Sequence, residues 1–280
     1  MANPPPNNPR GPAAVDAALA RAKTALDQGR ASEAEQLART VLAKDARHAH
    51  ALRLLGGALL LQERHAEAIE PLERAAKVLR EPGLDTQLAI ALRTVGRTDD
   101  ALSRLKRAIK REPPYAFAFH ELGFLLNALH RHDEAIATIR RGIEIAPLAS
   151  NLWVLLGSIY HARRDLQGAQ AAFARALTIS PNLASAHYGI GTALMSQAAF
   201  ARAAEHFRIA SINDPGDLQA RLKLAGCLLE TGQTDTALAS LRTVVRGGPQ
   251  EVYAMSLKLM LSTGRGRFWL RPSAAARALS

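Results

Sequence analysis

Residues Ser150–Pro181 read SNLWVLLGSIYHARRDLQGAQAAFARALTISP. Trp153, Leu156, Gly157 and Tyr160 recur at helical spacing, which puts large apolar groups on one stripe with a notch at the glycine. Ala169, Phe173 and Ala176 make an answering stripe, whose small residues let two helix backbones come close. Between the stripes, Arg164-Asp165 supplies polar turn and N-cap chemistry, and Pro181 ends the second helix. The stretch therefore predicts a helical hairpin.

Working outward, the same landmarks return every 34 residues. Ile190-Gly191-x-x-Leu194, Ala203, Phe207, Ala210 and Pro215 follow it; Leu122-Gly123-x-x-Leu126, Ala135, Ile139 and Pro147 precede it. Further copies begin near Val15, Ala49, Pro82 and Leu218, with Ala22 and Ala34, Gly56 and Ala68, Ala89 and Ala101, and Ala225 and Ala237 at the small positions. The turns Gly96-Arg97-Thr98-Asp99-Asp100 and Gly232-Gln233-Thr234-Asp235 repeat the polar chemistry, and Pro249 ends the last copy. The copy at Pro82 departs most, because it starts after 33 residues and Glu81-Pro82-Gly83 interrupts its first helix, which is expected to be short or tilted. One hairpin cannot bury its own apolar face, so the hairpins must stack.

The Trp, Leu-Gly, Tyr, Ala, Phe, Ala and Pro set in the copy from Ser150 resembles the tetratricopeptide repeat. The resemblance implies an all-α, right-handed superhelical solenoid of stacked hairpins, with the first helix of each pair lining a concave surface. It divides the chain into a disordered Pro/Asn-rich N-terminus over residues 1–12, seven repeats over 13–251, and a degenerate capping helix with a basic tail over 252–280. Phe268-Trp269-Leu270 in that tail reads as a cap folded onto the last repeat, or else as a basic aromatic motif for an acidic partner or membrane surface.

Composition agrees with this reading and narrows the chemistry. Aromatics are scarce at 5% while Ala and Leu dominate, which favours closely packed helices over a sheet sandwich. The single cysteine, Cys227, excludes an internal disulfide framework or a cysteine-built zinc site; it fits a reducing compartment and is expected to be buried and inert. Met1–Pro12, MANPPPNNPRGP, has no apolar core of a signal sequence, and nowhere do about 18 uncharged apolar residues run together, so a soluble cytoplasmic protein is expected. Nearly half of the net charge of +11 lies at the C-terminus, where Lys258, Arg265, Arg267, Arg271 and Arg277 follow Tyr253 with no acidic residue. Charge of this kind helps binding to any acidic partner and selects none.

No phosphate loop, nucleophile elbow or His-Glu-x-x-His pair is present, so no catalytic residue, cofactor or metal is assigned. His48-x-His50 and His130-x-His132 lack the i, i+4 spacing of helical metal ligands. Arg104, Lys106, Arg107, Lys110 and Arg111 wrap one helix without interleaved aromatics and are expected to be a solvated face. If the family geometry holds, the groove is lined by His50, Arg53, Arg93, His120, Asn127, Asn151, His161 and Tyr188, with Thr86, Ser158 and Thr192 beside them.

Two groove chemistries of the family are not reproduced. Leu19, Lys23, His50, Arg53 and Leu54 do not assemble the chaperone carboxylate clamp, and Ala20, Leu54, Gln87, Glu121, Leu155, Gly189 and Lys223 replace an Asn ladder. The expected function is a non-catalytic scaffold or adaptor holding a protein or peptide partner in the groove, and neither nucleic acid nor membrane is the favoured partner. The alternatives are a non-catalytic arm assisting a glycosyl- or sulfotransferase, and a basic solenoid binding nucleic acid, the latter on charge alone.

Overall fold

The computed structural model describes residues 12–247 and 254–256. Among the described residues the hairpins are α1 (Pro12–Asp27) with α2 (Ala31–Leu42), α3 (Ala49–Leu61) with α4 (His65–Val78), and α5 (Pro82–Thr94) with α6 (Thr98–Ala108). Then come α7 (Ala116–Ala128), α8 (His132–Ile145), α9 (Ser150–Ala162), α10 (Leu166–Ile179), α11 (Ala184–Ser196), α12 (Phe200–Asn213), α13 (Leu218–Glu230) and α14 (Thr234–Gly247). The chain divides into two compact units between Leu125 and Leu126, within α7. In the first unit α2 packs on α3 and α4 on α5, with α3 beside both α1 and α5. In the second, α8 packs on α9, α10 on α11 and α12 on α13, with α9 beside α11. Both readings of Phe268-Trp269-Leu270 lie outside the described residues, as does the N-terminal segment to residue 11.

The expected shortening at Pro82 does not occur. α5 has 13 residues, as do α3 and α9. Pro82 stands at the start of the helix, where its missing N–H has no helical partner to lose and its fixed φ already suits the first turn. At the other ends the sequence reading holds: α8, α10 and α12 stop two residues before Pro147, Pro181 and Pro215.

Every hairpin turns through one left-handed residue. These are Gly29, Glu63, Gly96, His130, Arg164, Ala198 and Gly232, with φ between 56° and 83°. At each, the next backbone N–H reaches back five residues to a first-helix carbonyl, as Arg30 does to Ala25, Asp165 to Tyr160 and Ala199 to Leu194. This Schellman arrangement satisfies carbonyls that the helix end would orphan.

A second regularity was not read from the sequence. Arg30, Arg64, Arg97 and Arg131 each precede a second helix and pair with an acid three residues on, Glu33, Glu67, Asp100 and Glu134. Thr98 is the first residue of α6. Asp165 does cap, accepting from Gly168 N at 2.8 Å.

Small residues set the packing. Ala22, Ala34, Ala68, Ala101, Ala169, Ala203, Ala225 and Ala237 are all fully buried. A Cβ at Gly56 would lie 2.4 Å from Leu72, one at Gly157 2.7 Å from Phe173, and one at Gly191 2.9 Å from Phe207. Each notch therefore receives the large landmark of its own second helix, and burying such a side chain contributes about 1.5–3 kcal/mol.

The basic run on α6 is not simply a solvated face. Arg107 and Arg111 bond the carboxylate of Asp85, the latter at 2.8 Å, and Arg104 comes within 3.7 Å. Asp85 itself is only 1% exposed. Arg104 and Arg107 stand three apart on α6, and Arg111 reaches the same carboxylate from the bend beyond the helix end, while Lys106 and Lys110 are exposed. Among the described residues no helix is long and apolar enough to cross a membrane.

Candidate functional site

In the first unit the predicted groove residues are largely engaged with their neighbours. His50 is exposed on the first turn of α3, and His48 caps that helix through Nδ1, which accepts from Ala51 N at 3.3 Å. Arg53 is half-buried, its Nε lies 3.9 Å from Glu81 Oε2, and that nitrogen has no hydrogen-bond partner among the described residues. The Arg93 guanidinium sits 5.1 Å over the Phe124 ring. His120 stacks on Phe117 at 5.9 Å and approaches Glu121 Oε1 at 3.1 Å. Thr86 does not line a surface: it is fully buried, and its hydroxyl donates to the Pro82 carbonyl at 2.7 Å.

In the second unit Asn127 is spent on the hairpin turn, where its Oδ1 accepts from His132 Nδ1 at 3.0 Å. Asn151 is exposed near the start of α9. His161 and Tyr188 are brought together around a cavity of about 400 Å³, along with Ser158 and Thr192. Phe173 and Gly189 also line it, and a Cβ at Gly189 would lie 2.4 Å from the Phe173 ring. The space beside the ring therefore depends on α11 carrying no side chain there. The lining also includes Asp214 and Asp217.

Hydrogen bonds hold His161 and Asp217 in place. The Ser196 hydroxyl donates to the Thr192 carbonyl at 3.2 Å, which leaves its oxygen to accept from His161 Nε2 at 3.1 Å. Burial, then the charges of Arg164 and Lys223, push the His161 pKa below the ordinary histidine value. Tyr188 packs edge-on against Phe207 at 5.5 Å; burial, then the charge of Asp217, push its phenol upward. Asp217 caps α13 by accepting from Gln219 N at 2.9 Å and Ala220 N at 3.1 Å. The arrangement holds groups that donate, accept and stack on a ligand.

Sequence reading missed Phe173, which reaches the cavity from a second helix, and the two aspartates, which precede α13. Asp217 four residues after Asn213 was a legible cap signal, but nothing local says that the cap borders a cavity. Cys227 is fully buried, and burial raises its thiol to about 11. The imidazoles of His187 and His206 meet Nδ1 to Nδ1 at 3.1 Å, while His187 Nε2 donates to the Pro181 carbonyl.

Comparison with known families matches the tetratricopeptide repeat over residues 19–81, 86–150 and 121–184, and a second profile of the same repeat over 194–259. No curated protein sequence matches. Among solved structures, a tetratricopeptide repeat protein from Parabacteroides merdae superposes with a TM-score of 0.70 at 15% identity, covering 89% of this chain and 99% of that one. The anaphase-promoting-complex hetero-tetramer Cut9–Hcn1 gives 0.69 at 15% identity, covering 98% of this chain but 50% of that one. A thermophilic repeat protein of Thermus thermophilus gives 0.55 at 20% identity, covering 64% and 99%. At such identities the likeness is one of fold.

Proposed function

Because this chain belongs to the tetratricopeptide repeat family, we propose that it is a non-catalytic interaction module that holds a peptide or helical segment of another protein against its first-helix surface. The observation that carries this reading is the cavity in the second unit, to which α9, α11 and the start of α13 all contribute. Its volume of about 400 Å³ lies at the lower end of ligand sites, which run to roughly 1,000 Å³, so it suits one or two anchoring side chains. His161 and Tyr188 are the residues on which recognition rests. Asn151 is a secondary contact in the same unit, Asn127 being held in its turn, and His50, Arg53, Arg93 and His120 belong to a separate surface of the first unit.

On this reading residues 13–251 act as seven repeats and 252–280 as a capping segment. A cytoplasmic location fits the single cysteine of the sequence, Cys227. Nucleic acid is disfavoured because three guanidiniums of the basic run already serve Asp85.

The test is selection from a displayed library of randomised nonapeptides on the intact chain, followed by binding to Ser185→Trp. Ser185 is an exposed cavity residue on the first turn of α11, so the indole fills the site without entering the core. Selected peptides should lose at least tenfold in affinity for Ser185→Trp and keep it for Arg208→Trp on exposed α12. Equal binding to all three chains rejects the cavity as the binding site.

A further inference from the structure

Resting on that reading, we propose that the cavity of the second unit takes an arginine side chain of the partner peptide, seated between Tyr188 and the carboxylates of Asp214 and Asp217. Asp214 Oδ1 accepts from Gly216 N at 3.1 Å, and Asp217 Oδ1 accepts from two backbone N–H groups of α13. Neither carboxylate has an ion-pair partner among the described residues. Each therefore keeps an oxygen unspent among the described residues, in a cavity whose lining also includes Phe173, Gly189 and Tyr188. The Tyr188 hydroxyl likewise has no hydrogen-bond partner among the described residues.

Charge complementarity chooses the occupant. A guanidinium is planar, stacks on an aromatic face and presents separate N–H edges to two carboxylates, which a lysine ammonium matches less well. The positive end of α13, which otherwise attracts anions, is already answered by Asp217 Oδ1. Arg164 and Lys223 act on His161, which lines the same cavity. They repel a second cation and favour the carbonyls of the peptide backbone there. The cation therefore seats at Asp214 and Asp217 and not beside His161. The cations Arg53 and Arg93 lie in the first unit, beside Glu81 and Phe124, and do not bear on this cavity.

The same nonapeptide selection tests this on the full chain. Arginine should be enriched at one position, and replacing it by glutamine in the best peptide should weaken binding at least tenfold. Asp214→Asn/Asp217→Asn should lose at least tenfold toward the arginine peptide and bind the glutamine peptide as the parent does. Asparagine caps helices as well as aspartate does, so folding is preserved, and an unchanged melting temperature checks this. Peptides that are sensitive to Ser185→Trp but show no arginine preference, or an Asn variant that binds as tightly as the parent, overturn the arginine site and leave the groove standing. If no selected peptide responds to Ser185→Trp, both readings fall. Self-association of the free chain that disappears in the Asn variant would make a second copy the occupant and overturn the peptide.

Discussion

Gly189 of α11 lies against the ring of Phe173 of α10, so closely that a Cβ on the glycine would stand 2.4 Å from two ring carbons. Gly157 of α9 meets the same ring, at 2.7 Å on the same measure. Phe173 is therefore held between the first helix of its own hairpin and the first helix of the next, and only glycine fits either contact. Gly157→Leu and Gly189→Ala should each destabilise the protein by about 1–3 kcal/mol in urea denaturation through overpacking. Phe173→Leu should restore part of the loss when combined with Gly189→Ala. An unchanged midpoint in either single variant would show that the contact is misplaced.

Asp85 should behave as a structural ion. Removing one partner of a fully buried pair costs about 3–5 kcal/mol, but Arg104 and Arg107 retain access to water, so Asp85→Ala should cost about 1–3 kcal/mol. Replacing the exposed Lys106 by Ala should move the urea midpoint very little. Equal effects from the two substitutions would contradict the placement of Asp85.

Stability should fall in mild acid. Burial, then Arg164 and Lys223, depress His161; burial, then His187 and Arg202, depress His206, against a smaller opposing effect of Glu205. Between these depressed values and the ordinary 6.5, the unfolded chain binds more protons than the native one. The stability is therefore complete above 6.5 and is lost as pH falls through the depressed values. Melting temperatures from about pH 8 to about pH 5 should decline, and less steeply in His206→Gln. A flat profile in the parent contradicts the assignment.

Ala198 holds the left-handed turn position that glycine holds in three other hairpins, at φ 56°. A side chain in that conformation costs about 1–2 kcal/mol, partly offset by the greater freedom of glycine when unfolded. Ala198→Gly should raise stability by about 0.5–1 kcal/mol in thermal or urea melts, and a loss of stability would mean that the turn differs.

The helical hairpins were legible because the 34-residue recurrence fixes which residues face inward, and a glycine followed by a bulky residue on the partner helix marks each close approach. Pro82 misled because a proline that breaks a helix interior is welcome at its first residue. The α6 arginines misled for a different reason: their partner Asp85 is one acid on another helix, and no periodicity announces it. At the candidate site, His161 and Tyr188 followed from their first-helix positions. The aspartates beyond them and the ring of Phe173 reach the same cavity from a connection and a second helix, which a reading of first helices alone does not include.

The most direct test of recognition at this cavity is a map of backbone amide shifts on titrating the labelled chain with a selected arginine peptide. Perturbations should centre on Ser158, His161, Tyr188, Gly189, Thr192 and Asp217, and should vanish from that set with the glutamine peptide at equal concentration. Perturbations centred instead on α10 and α12, at residues such as Arg175 and Arg208, would contradict binding at the first-helix surface.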